Sequence, residues 1–155
     1  MQPKIKITGQ KELLRALSKF GEEAEKRIDQ ITNIAAVEIA QDAKDRAPRG
    51  KETNPDGNAT INITQLINVE HTSHLFYTVK VQADEDNPIP AYLEFGTGAF
   101  VKVAPEWKDM AWEFYKNGEG RLHPQPYLYP AYTRGKAQYE NDLKQLLDQL
   151  TKNAL

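Results

Sequence analysis

Ala91-Tyr92-Leu93-Glu94-Phe95-Gly96-Thr97-Gly98 alternates side chains in steps of two and then breaks on a pair of glycines. That period predicts a strand with Ala91, Leu93 and Phe95 on one face and Tyr92 and Glu94 on the other, closed by a tight turn. Two more stretches share the period. Ile61 and Ile63 alternate with Thr60, Asn62 and Thr64, while Leu75, Tyr77, Val79 and Val81 alternate with Phe76, Thr78 and Lys80. Three strands with one apolar face predict an antiparallel sheet covered on one side. His71-Thr72-Ser73-His74 and Asp84-Glu85-Asp86-Asn87-Pro88 are the expected connections.

Helical periodicity flanks the sheet. Leu13, Leu17, Phe20, Ala24, Ile28, Ile31, Ala35, Ile39 and Ala43 recur at steps of three and four, one apolar stripe. Gly21 costs about 1 kcal/mol of helix propensity, but the stripe keeps its phase, so one long helix is expected over 9–47. Pro48 ends it by forcing Ala47 toward extended geometry. Tyr132, Tyr139, Leu143, Leu146, Leu147 and Leu150 mark a C-terminal amphipathic helix, with Gly135 unsettling its first turn. Trp107, Met110, Ala111, Phe114 and Tyr115 predict a short helix from Pro105 to Lys116, which Asn117-Gly118-Glu119-Gly120 stops. Arg121-Leu122-His123 is expected to return to the sheet.

The predicted fold class is α+β. A long N-terminal helix and a C-terminal helix pack on one face of a small antiparallel sheet, with a short helix inserted before the last strand. One domain spans 1–155: helix 9–47, a mobile polar loop 48–57, strands 58–97, an insertion 98–120, then the last strand and helix 121–155.

The 155 residues are 39% hydrophobic and 27% charged, enough for a single modest core. The net charge of −2 argues against a protein that coats nucleic acid. No cysteine is present, which removes disulfides and thiolate metal sites. No signal peptide or membrane-spanning run is read, so folding in a cytoplasm is expected.

Candidate chemistry is sparse. His71, His74 and His123 lack metal-ligand spacing, even with Glu70 or Asp84 as a carboxylate partner, and read as loop residues. Asp84-Glu85-Asp86 lacks the ligand register of a calcium loop. Gly96-Thr97-Gly98 is not followed by phosphate-loop spacing. Glu94 stands in an apolar strand without a second acid, so a paired-carboxylate hydrolase is disfavoured. Two structural readings of Glu94 remain: acceptor of N–H groups from the Gly96–Gly98 turn, or partner to a basic residue of a neighbouring subunit. Lys44, Arg46, Arg49 and Lys51 form a basic cluster in which Lys44 and Arg46 suit a helix C-terminus; without aromatic interleaving or a binding motif it is a weak signal for a DNA backbone. The sequons at Asn58 and Asn62 read as strand residues. The aromatic residues around the two motif regions exceed what one small core holds, and a surplus of this kind suits a protein interface. No catalytic, metal or cofactor residues are assigned, and no cofactor is expected.

Four signatures in order carry a family resemblance. They are Ala43-Lys44-Asp45-Arg46-Ala47-Pro48 ending the long helix, Gly57-Asn58-Ala59-Thr60-Ile61-Asn62-Ile63, Tyr92-Leu93-Glu94-Phe95-Gly96-Thr97, and Pro126-Tyr127-Leu128-Tyr129-Pro130-Ala131. The second departs from the family pattern by lacking its leucine and serine. Over residues 10 to 150 the chain resembles the neck, head–tail joining or tail-completion proteins of long-tailed bacteriophages. The resemblance implies a structural virion protein and not an enzyme, made in the host cytoplasm and built into the neck. It implies self-assembly into a ring, expected to be a hexamer. The implied partners are head connector or head-closure proteins and tail terminator or tail tube proteins. DNA would pass through without specific binding, and no membrane is involved. Ala47, Pro48, Tyr92, Glu94, Phe95, Gly96, Thr97, Pro126, Tyr127, Leu128, Pro130 and Ala131 are the implied structural-motif and interface candidates. A tail terminator or head-closure ring protein is the nearest rival, and a small hydrolase using Glu94 with a histidine the distant one.

Overall fold

The computed structural model describes residues 3–6, 21–49, 62–83, 89–98, 101–109 and 123–153. The elements are strand β1 (Lys4–Lys6), helix α1 (Gly21–Arg46), one-turn helix α2 (Ile63–Leu66), strands β2 (Ile67–Ser73) and β3 (Phe76–Val81), helix α3 (Ile89–Phe95) and helix α4 (Leu128–Asn153). The sheet order is β1-β3-β2, antiparallel throughout. This is the α+β class expected from the alternating and helical periods together.

β3 is the central strand, and its Tyr77, Val79 and Val81 turn toward α1 and are buried. α1 returns the contact with Ala35, Ala36, Ile39, Ala40 and Ala43, mostly small residues that let the helix approach the sheet and α4 together. Tyr127, Leu128, Ala131 and Tyr139 of the C-terminal segment join the same core. The two long helices run antiparallel. Ile28 shares a cluster with Leu146, Thr32 Oγ1 lies 3.1 Å from the Tyr139 hydroxyl, and Ile39 meets Gly135. A Cβ at Gly135 would stand 2.1 Å from Ile39 Cγ1. Gly135 is thus a closest-approach residue inside an unbroken helix, and α4 starts at Leu128, about two turns before the position that made its beginning uncertain.

Several expectations are corrected. Residues 62–66 are not strand: Asn62 Oδ1 accepts from Thr64 N at 3.1 Å and from Thr64 Oγ1 at 2.6 Å, an N-cap that starts α2. The strand begins where that turn ends, and β2 occupies Ile67–Ser73, so the connection expected over 71–74 shrinks to His74-Leu75. Leu75 adopts φ +64° there, and its buried side chain against Ile28 and Leu146 holds it in place.

Ala91–Phe95 is not strand either. It belongs to α3, whose buried Ala91, Glu94 and Phe95 fall at i, i+3 and i+4. Gly96 donates its N–H to Tyr92 O at 2.8 Å with φ +79°, the left-handed cap that ends a helix. The expectation of an unbroken helix through Gly21 also fails, because its φ of +73° lies outside the right-handed helical region. Residues 9–20 lie outside the described residues, as do 50–61, 84–88 and 110–122. His123 to Pro126 is irregular and forms no strand; Gln125 N instead donates to Leu93 O at 2.7 Å. Of the expected Pro105–Lys116 helix, Pro105–Trp107 is a 3-10 turn that continues helically to Asp109.

Candidate functional site

An α-helix leaves its first N–H groups without intrahelical acceptors, and its N-terminus carries partial positive charge. α4 has no acidic residue in its first turn to answer this. The answer comes from α3. Glu94 Oε2 accepts from Tyr127 N and Leu128 N, each at 2.8 Å, and Oε1 accepts from Tyr129 N at 2.9 Å. The carboxylate is 2% exposed, so these charge-assisted bonds form away from competing water. Burial pushes its carboxyl above the usual carboxylate range, and the three N–H donors work against that rise. Neither structural reading of Glu94 made from sequence is right in detail. Its donors are backbone N–H groups, but they belong to the start of α4 and not to the Gly96–Gly98 turn.

A second bond closes the joint. The Tyr127 hydroxyl donates to Pro90 O at 3.0 Å, and its fully buried ring fills the space between α3 and the core. Burial, followed by the nearby Glu94 carboxylate, pushes this phenol well up from its ordinary value. Gln125 N to Leu93 O and Lys102 N to Phe95 O, the latter at 3.0 Å, tie the chain on both sides of the insertion to the end of α3. Phe95, Trp107, Tyr129 and Tyr132 then follow one another, with successive ring centroids 5.8, 5.2 and 6.4 Å apart. Tyr129 adds a hydroxyl bond to Glu106 Oε1 at 2.9 Å.

The sequence candidates therefore fall into two groups. Glu94, Phe95, Gly96, Thr97, Tyr127, Leu128 and Ala131 are buried in or beside this joint. Ala47 reaches it through the shared core, 4% exposed, with its N–H on Ala43 O at 2.9 Å just before Pro48 ends α1. Tyr92 and Pro130 are half-buried, and Pro126 is exposed. Thr32, Tyr139 and Gly135 were missed. Their signals, a threonine and a tyrosine on otherwise apolar stripes and a glycine inside a helix, acquire meaning only when the two helices are brought together.

The other candidates stand apart. His74 pairs with Glu25 of α1, and His71 stacks on Tyr77 with centroids 4.7 Å apart. Tyr77 in turn donates to Asp29 at 3.2 Å. Arg46 pairs with Asp42 at 3.0 Å, and Lys44 with Arg46 occupies the last turn of α1, where cations suit the dipole. Asp84, Glu85, Asp86, Lys51 and Asn58 lie outside the described residues.

Chemically, this site is a clasp. A carboxylate whose two oxygens are taken by three backbone donors is held for structure, and it ties the base of an aromatic insertion to the start of the last helix. A family model described as Bacteriophage HK97-gp10, putative tail-component, matches residues 11–96, more than half of the chain. The chain belongs to this family of phage tail components. No curated protein and no solved structure gives a significant match. The family is one of structural virion components and not of enzymes. Its matched span ends at Gly96, so Glu94 carries the match's last residues onto α4, which lies beyond it. Among the described residues no helix is long and apolar enough to cross a membrane.

Proposed function

We propose that this tail component acts at the neck of the particle, joining or completing the head–tail junction as a subunit of a closed ring. The observation that carries the reading is the Glu94 clasp. It locks the Tyr92–Thr97 signature onto the Pro126–Ala131 signature, the pair by which the chain resembles neck proteins. A clasp of this kind gives the insertion between the two signatures a rigid base, which suits a subunit that presents a loop to its neighbours. A hexamer is the ring expected, seated between head connector or head-closure proteins and tail terminator or tail tube proteins. A ring requires a heterologous contact that closes on itself. The near-neutral net charge of −2 suits a conduit that lets DNA pass without gripping it.

Light scattering on the purified chain over a concentration series tests this reading. A mass that grows to a fixed multiple supports it. A chain that stays monomeric alone, and also when mixed with connector or tail tube proteins, overturns it.

A further inference from the structure

β1 and β2 are the two edges of the sheet, and they are built differently. β1 is three residues long and two of them are lysines, the short, charged form that keeps an edge from pairing with another chain. β2 runs over seven residues, Ile67–Ser73, with no proline and no lysine. A bulge between His71 and Ser73 blunts its far end and leaves Ile67 to His71 flat. Glu70 is the one acid in that stretch, and Lys80 of its own chain holds it at 2.7 Å.

The hydrogen-bond register decides which backbone groups face outward. Gln82 N–H donates to Leu66 O at 2.9 Å, and Val81 N–H donates to Pro3 O at 3.2 Å. The even-numbered residues of β3 therefore bond to β2 and the odd-numbered ones to β1. Asn68, opposite Lys80, and Glu70, opposite Thr78, spend their backbone groups on β3, while Val69 and His71 turn theirs away from it. Among the described residues no strand answers them. An extended backbone is the chemistry that fits such an edge.

A second β2, antiparallel across a two-fold axis, supplies one. Val69 set against His71 of the second copy would place Glu70 opposite Glu70, a like-charge pair. His71 set against His71 would draw the bulge into the ladder. Val69 set against Val69 places Asn68 opposite Glu70, amide against carboxylate, and joins two half-buried valines. Strands repeat at about 4.8 Å, so the two copies of β3 would stand about 14 Å apart. That leaves room for the α1 packed on each, whose diameter is roughly 10–12 Å.

We infer that two copies of this chain join edge to edge through β2, Val69 facing Val69, so that their three-stranded sheets become one. The contact closes at two copies and is therefore distinct from the head-to-tail contact of a ring.

The chain has no cysteine, so single cysteines report the contact. Val69→Cys would meet its counterpart at a Cα separation of about 5.5 Å, within reach of a disulfide. Mild oxidation should convert it to a covalent dimer on a non-reducing gel. Thr72→Cys, on the same strand, would stand roughly 20 Å from its counterpart and should stay monomeric. Val69→Pro removes an outward N–H and leaves the ladder with β3 intact. Folded by circular dichroism, it should associate about tenfold or more weakly in light scattering, because each dimer loses two backbone hydrogen bonds. If Val69→Cys cross-links no faster than Thr72→Cys, the contact is overturned, whether or not Val69→Pro folds. A folded Val69→Pro that associates as tightly as the unaltered chain overturns it too. Multimers of the unaltered chain that persist beside either result would leave the ring standing without this contact.

Discussion

α1 and α4 are equal in length at 26 residues, yet their beginnings are made in opposite ways. α1 starts at a glycine in left-handed geometry and places Glu22 and Glu23 in its own first turn, so the charge that answers its dipole is local. α4 starts without an acid and takes Glu94 from another helix, 33 to 35 residues earlier in the chain. The first device is exposed and screened by water, while the second is buried and shared with the core. The same physical need is worth about 0.3–1 kcal/mol per charge in one place and about 3 kcal/mol or more in the other.

The hardest way to break the comparison is Glu94→Ala. It strips three N–H groups of their acceptor in a site from which water is excluded, and should cost about 3 kcal/mol or more. Urea denaturation gives the loss, and hydrogen exchange should place it at the amides of Tyr127, Leu128 and Tyr129. Glu94 also gives the comparison a pH axis. Its carboxyl titrates above the ordinary glutamate value in the fold, so the folded chain holds that proton more tightly than the unfolded chain does. The contribution is full below the ordinary value of about 4.3 and is lost as pH rises through the folded value. Melting temperatures across that window should fall in the unaltered chain more steeply than in Glu94→Gln.

Gly135→Ala comes next. Alanine improves helix propensity by about 1 kcal/mol, but its methyl would meet Ile39 at 2.1 Å. Overpacking should win and destabilise the chain by about 1–3 kcal/mol. Pairing it with Ile39→Ala should restore part of the loss, which a double-mutant cycle would read as coupling. Tyr139→Phe removes the hydroxyl partner of buried Thr32, whose own hydrogen still reaches Ile28 O at 2.7 Å, and should cost about 1 kcal/mol in chemical denaturation. The smallest effect belongs to Glu22→Gln with Glu23→Gln, about 0.3–1 kcal/mol for each charge at low salt. That loss should fade as salt is added, whereas the Glu94→Ala loss should hardly change.

How much was legible in the residues follows the same division. The end of α1 at Pro48 and the buried face of β3 were readable because proline geometry and a period of two act over a few neighbours. Ala91–Phe95 was misread because a short segment fits both periods. Ala91, Leu93 and Phe95 suit a strand as well as Ala91, Glu94 and Phe95 suit one face of a helix. Asn62 caps a single turn that hid the start of β2, so Ile67 and Val69 went unnoticed. Glu94 was singled out as an acid in apolar surroundings, but its donors lie more than thirty residues further along the chain.

By itself, the sequence determined the α+β class, the stripes of both long helices, the alternating strand that ends at Val81 and the signatures that mark a phage tail component. These depend on local sterics and on spacing along the chain. Tertiary structure alone decided that α4 is capped from α3, that Gly135 is where two helices touch, and that Thr32 answers Tyr139. Each of these joins groups far apart in sequence. A buried polar group or a missing side chain shows its purpose only when its partner arrives in space.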